Sequence, residues 1–418
     1  MPITSTKITR QTLFEIRLAQ ACSRRFVVAC LCFAITLYLV EQLSGFVADP
    51  NDLILDLALP PSETVDYKAR DFQFIVSTNR LGFRGPEFPL RRSPEIKRIL
   101  VLGNSFTYGW GVDFEQTWPR LLEKELGIRG KKVETANLAT PGTTTRQMTY
   151  IASRSIPILK PDLVIISVLQ GGALFTFGDG LIPEQNQERP VNFKSTAIAK
   201  LRYIFPNYVS LLQSAWHRAV GVKERSSADI HRTWKSEAAL FLTQMTSEQL
   251  QRYHALDSAT VERFINGELN VSAVRASIAN PDLFVETVKS KNTISNGRRG
   301  MHDMFSKIKS VAEANGAHVV VASMPYGAYL GGGAAENISK LGFNIPAFLS
   351  RDQTTEDQIR IAANDAQLKF ISVLDDFHYA DSDSFFIPFD GHYNSSGTEF
   401  YAQALSKKLL SLWPDLFE

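Results

Sequence analysis

The 418-residue sequence predicts an α/β fold, a five-stranded parallel sheet in three layers with helices on both faces, preceded by an N-terminal transmembrane helix and interrupted by a helical insertion. Three observations predict it. Five short apolar runs have the character of strands buried on both faces, amphipathic stretches of helical period separate them, and a longer apolar run lies near the N-terminus.

In chain order, residues 1–25 form a basic tail, with Lys7, Arg10, Arg17, Arg24 and Arg25 against the single acid Glu15. From Phe26 to Val40 only Thr36 interrupts the apolar run, and apolar character resumes after Glu41-Gln42 as far as Ala48, so 26–48 can span a bilayer of roughly 20 residues' reach. Downstream come Glu41, Asp49, Asp52 and Asp56. This asymmetry places the N-terminus in the cytoplasm and the remainder on the extracytoplasmic, periplasmic side of the cytoplasmic membrane as a single-pass protein. A cleaved signal peptide is the rival reading, but Phe46 spoils a small-x-small pattern before a cut at Ala48.

Residues 49–95 read as a linker with one strand at 72–76, and 96–418 as the main domain. Strands are predicted at 98–103, 132–138, 162–168, 318–323 and 370–374, with helices at 117–126, 145–159, 301–315 and 355–368. A capping box of Ser396 and Glu399 starts a last helix before Phe400. The stretch 178–299 is too long for an ordinary crossover and reads as an insertion with helices at 193–217, 234–245 and 259–265. Gly331-Gly332-Gly333 reads as a flexible loop, because a phosphate loop would continue into Lys-Ser/Thr.

Composition excludes several function classes. Lys+Arg 45 against Asp+Glu 43 gives a net charge of +2, so no global field is available to hold nucleic acid. The three cysteines, Cys22, Cys30 and Cys32, all lie in or beside the N-terminal apolar run. The main domain therefore has no disulfide, thiolate metal site or cysteine nucleophile.

Two motifs can carry chemistry. The run Ile99–Leu102 leads directly into Gly103-Asn104-Ser105, and the carboxyl ends of strands in an open parallel sheet are where ligands bind. Ser105 is either reactive there or caps the following turn; without the second glycine of Gly-x-Ser-x-Gly, it is not the α/β-hydrolase elbow. The second motif, Phe389-Asp390-Gly391-His392, precedes the last helix. A serine hydroxyl needs an imidazole to take its proton, and the imidazole needs a carboxylate to fix its tautomer. Asp390 and His392 supply both, or form a turn and cap.

Together with Asn79-Arg80-Leu81-Gly82-Phe83-Arg84-Gly85, these blocks resemble, over residues 75–180 and 300–418, the SGNH/GDSL hydrolase family. The resemblance implies a flavodoxin-like sheet, with Ser105 as nucleophile and, through its N–H, an oxyanion donor. It makes the Gly142 N–H a second donor, Asp390 the orienting acid and His392 the general base. The family's third block, Gly-x-Asn-Asp, is absent: after the third strand stands Val168-Leu169-Gln170-Gly171-Gly172, with Gly171 at the asparagine position. Gln170, or an N–H of Gly171 or Gly172, is a candidate substitute. Asp390 stands two residues before His392 where many members have three, so Asp381 and Asp383 remain candidate partners. The implied activity is hydrolysis of an acyl ester on an extracytoplasmic saccharide or lipid, without metal or cofactor. The alternatives are O-acyl transfer to an exported polysaccharide and a non-catalytic binding or assembly role.

Overall fold

The computed structural model describes residues 28–29, 31–43, 62–79, 81–87, 89, 93–172, 205, 208, 212 and 223–417. Two compact units divide them, the smaller falling within Met1–Leu53 and Asn192–Arg218, the larger within Ile54–Val191 and Ala219–Glu418. In the smaller unit 31–43 is helical, and the buried Glu41 carboxylate accepts from the Tyr208 N–H at 3.1 Å. No described helix is long and apolar enough to cross a membrane. Of the span expected at 26–48, residues 26–27, 30 and 44–48 lie outside the described residues.

In the larger unit, strands β1 (Glu63–Lys68), β2 (Gln73–Ser77), β3 (Lys97–Leu102), β4 (Val133–Asn137), β5 (Leu163–Leu169), β6 (Lys223–Arg225), β7 (His318–Met324) and β8 (Lys369–Ile371) form two sheets. The main sheet is the predicted five-stranded one, ordered β4-β3-β5-β7-β8 and parallel throughout. Its strands read as near-continuous apolar runs because both faces are covered. Leu100, Leu102, Val164, Ile166 and Val321 pack on one side against Ile151, Ile156, Met301, Phe305 and Ile359. Ile99, Val101, Ile165 and Val320 pack on the other against Leu122, Leu126, Tyr401 and Leu405. Each such fully buried aliphatic side chain contributes roughly 1.5–3 kcal/mol.

The helices over this sheet are Trp118–Ile128, Thr145–Leu159, Lys291–Ala314, Thr354–Asp365 and Ser395–Leu412. The last is capped by Asn394, whose side chain accepts from the Gly397 N–H at 3.1 Å, and not by the expected Ser396/Glu399 box. Gly397 permits this start, since a Cβ there would lie 2.3 Å from the Phe385 carbonyl oxygen. The fifth strand stops at Ile371 because the Ser372 hydroxyl accepts from the Leu374 N–H at 3.2 Å and opens the helix Leu374–Tyr379. The three glycines at 331–333 are no flexible loop. They open the helix Gly332–Lys340, whose Ala334 N–H donates to Asp383 Oδ1 at 3.2 Å.

The expected linker contains more than one strand. β1 and β2 form an antiparallel hairpin, and β6 joins β1 in parallel from the insertion. Val65, Phe74 and Val76 of this small sheet pack with Ile230, Trp234 and Phe264. After β6 the insertion is helical, with Ser227–Gln244, Ser247–His254, Ser258–Asn266, Val271–Ala279 and Leu283–Lys289. The helix expected at 193–217 lies outside the described residues apart from 205, 208 and 212.

Candidate active site

The chain leaves β3 through Gly103 and enters a four-residue helix, Ser105–Tyr108. Gly103 is required by close approach, because a Cβ would stand 2.1 Å from Thr107 Oγ1. Asn104 caps this helix, its side-chain oxygen accepting from the Phe106 N–H at 3.1 Å. An aspartate could accept the same bond, which makes Asn104 a mild departure from the family's block. Ser105 is the first residue of the helix, where a backbone N–H has no intrahelical acceptor.

The loop after β8 and its helix brings Asp390 and His392 to this serine. His392 Nε2 lies 2.7 Å from Ser105 Oγ, and His392 Nδ1 lies 2.5 Å from Asp390 Oδ1. Those partners define the tautomer, with Nδ1–H donating to the carboxylate and Nε2 accepting from the hydroxyl. The two-residue spacing works because Asp390 Oδ1 also accepts from the His392 N–H at 3.2 Å, folding the carboxylate back along its own turn. Asp390 is therefore the partner, while Asp383 caps the Gly332–Lys340 helix. The side chains of His392 and Asp390 are 15% and 4% exposed, so the acid is sealed and the imidazole is reachable. Phe106 lies over His392 with ring centroids 4.5 Å apart.

Gly142 follows β4, beside β3, with φ +70 and open space where a Cβ would point. Neither its N–H nor that of Ser105 meets an acceptor among the described residues. Asn137 ties the two loops together, donating from Nδ2 to the Thr107 carbonyl at 2.8 Å and accepting from the Ala139 N–H at 3.1 Å. At the end of β5, Gln170 is fully buried. Its Oε1 accepts from the Tyr326 N–H at 3.3 Å and its Nε2 has no partner. Gly171, at φ +72, stands so close to Tyr329 that a Cβ would lie 2.2 Å from the phenol oxygen. Burial pushes the pKa of the Tyr329 and Tyr326 phenols up, so both remain neutral.

Two supporting residues escaped the motif reading. Arg84, 2% exposed, hydrogen-bonds to no carboxylate among the described residues; its guanidinium donates to the carbonyls of Tyr108 (3.2 Å), Gly109 (2.5 Å), Val112 (2.5 Å) and Ile75 (3.2 Å). Trp110 donates from Nε1 to Asp390 Oδ2 at 3.2 Å. Arg84 stood in the quoted lead-in block, but nothing in its spacing said that it reaches across to the turn after Ser105.

The parallel sheet, in the order β4-β3-β5-β7-β8, thus bears a serine at the end of its first strand, β3, and an Asp-x-His pair before its last helix. No family profile and no curated protein sequence matches the chain. Among solved structures it is similar to a lipase/acylhydrolase from Enterococcus faecalis (12% identity, TM-score 0.34, covering 76% of this chain and 96% of that one). It is also similar to a GDSL-like lipase from Bacteroides thetaiotaomicron (10%, 0.33, 76% and 89%) and to an acetyl xylan esterase (10%, 0.35, 75% and 99%). At this distance the site is read from its own geometry.

Proposed function

We propose that the protein hydrolyses an acyl ester through a covalent acyl-enzyme on Ser105. The observation that carries this reading is the unbroken hydrogen-bond chain Asp390–His392–Ser105. His392 Nε2 takes the Ser105 proton as Oγ bonds to the ester carbonyl carbon, and the carbonyl π electrons move onto oxygen. The N–H groups of Ser105 and Gly142 receive that oxyanion, and Gln170 Nε2, buried in the free protein, joins them when substrate binding opens the end of β5. Collapse breaks the ester C–O bond, and the Nε2 proton leaves on the alcohol. Water then repeats the sequence to release the acid, while Asp390 stabilises the imidazolium in both halves.

The substrate we assign is an acyl ester of a saccharide or lipid outside the cytoplasmic membrane. Its support is the basic 1–25 segment, the apolar run 26–48 and the acidic residues after it. If a sugar hydroxyl replaces water in the second half, the same acyl-enzyme is an O-acyltransferase. The test is turnover of p-nitrophenyl acetate and longer acyl esters by the detergent-solubilised protein, with and without an oligosaccharide acceptor. Turnover that Ser105→Ala abolishes supports the reading, and acylated oligosaccharide among the products selects transfer over hydrolysis. A folded wild-type protein that cleaves none of these esters contradicts it.

A further inference from the structure

Trp110 lies outside the triad and beyond the short helix that carries Ser105, yet its indole reaches the triad acid. A carboxylate has two oxygens and can turn about its Cβ–Cγ bond. Asp390 Oδ1 is engaged by His392 Nδ1 and by the His392 N–H, whereas Oδ2 accepts from Trp110 Nε1 at 3.2 Å. With both oxygens held, the carboxylate plane is fixed in the orientation that points Oδ1 at the imidazole. Trp110 itself is 8% exposed and fixed from two directions. Arg84 gathers the carbonyls of Tyr108, Gly109 and Val112 on either side of it. Its ring packs against Tyr67 and Phe74 of the β1–β2 hairpin at 5.0 and 5.4 Å, and against Trp234 of the insertion at 6.3 Å.

We infer that Trp110 is a positioning residue for the triad acid, and that the hairpin and insertion helix act as scaffolding of the active site through it. This rests on the serine-hydrolase reading. It goes beyond that reading by giving an activity role to residues outside the five-stranded sheet.

The experiment compares Trp110→Phe with Trp118→Phe, in wild-type and Asp390→Ala backgrounds. Trp118 is fully buried among Leu122, Leu126 and Tyr401 and its indole nitrogen has no partner, so its replacement perturbs packing without removing a hydrogen bond to the triad. The readout is the second-order rate of labelling by a fluorophosphonate. Loss of a hydrogen bond to a charged acceptor predicts a fall of about ten-fold or more for Trp110→Phe. Trp118→Phe should stay near wild type, and Trp110→Phe should cause no further fall once Asp390 is alanine. Equal falls in both backgrounds, or equal falls for the two tryptophans, would overturn the inference. The Trp110 indole N–H resonance, assigned by its loss in Trp110→Phe, needs no catalysis. It should move upfield in Asp390→Ala, and an unmoved resonance would also refute the contact. Wild-type protein that fails to label while that resonance moves would count against the hydrolase reading and leave the Trp110–Asp390 contact standing.

Discussion

A Cβ added at Gly171 would lie 2.2 Å from the Tyr329 phenol oxygen, and that phenol is engaged at 2.7 Å by Thr287 Oγ1 of the insertion. The space beside Gly171, the position the sequence resemblance assigns to an oxyanion-hole asparagine, is thus occupied by a tyrosine from another loop. Gly171 is a consequence of that packing.

Restoring the family residue should therefore harm the protein. Gly171→Asn places a side chain at φ +72 against a buried ring, and overpacking of this kind costs about 1–3 kcal/mol. Urea unfolding should show a lower midpoint, and ester turnover should not rise. A variant as stable as wild type with faster turnover would show that the hole lacks an amide.

Gln170 is the amide proposed for that role. Its Nε2 is buried without a partner among the described residues, and a developing oxyanion that reached it would satisfy it. Gln170→Met should slow acylation by about 10²–10³, the range for loss of one oxyanion donor. Its thermal midpoint should also fall, because the substitution removes the Oε1 acceptor of the Tyr326 N–H and leaves that buried donor unsatisfied, at a cost of about 1–3 kcal/mol. Unchanged acylation would restrict the hole to the N–H groups of Ser105 and Gly142.

The five-stranded sheet was legible because strands covered on both faces leave continuous apolar runs, as in Leu163–Leu169, where all but the last residue are buried. The triad was legible because Ser105 and His392 sit in short motifs whose chemistry demands each other. What the sequence concealed were contacts without a local pattern. The hairpin alternates over only five or six residues, so 62–79 read as a linker with a single strand. Asn394 and Ser396 are equally good caps by residue type, and tertiary packing of Gly397 under Phe385 decided between them. The Trp110–Asp390 contact joins residues 280 positions apart, with no motif linking them.

Glu356 gives a pH signature separate from catalysis. It is 7% exposed, its Oε1 accepts from Ser323 Oγ at 2.6 Å, and desolvation raises its pKa above the ordinary 4.5. A carboxyl raised in the folded state contributes stability that is fully present below its unfolded value and is lost as pH rises through its folded value. Glu356→Gln keeps the neutral shape, so the variant should match wild type below about pH 4.5 and become more stable than it as pH rises above that value through the neutral range. Thermal melts across that range check it, and a difference between the two proteins that does not vary with pH would contradict it.

The central claim is that His392, oriented by Asp390, activates Ser105. Its most direct test is intact-mass measurement of the detergent-solubilised protein after exposure to a fluorophosphonate, beside Ser105→Ala and His392→Ala. The account predicts one phosphonyl adduct on wild type, located at Ser105, and none on either variant over the same time. A wild-type protein that remains unmodified while folded, or an adduct that persists in Ser105→Ala, would contradict it.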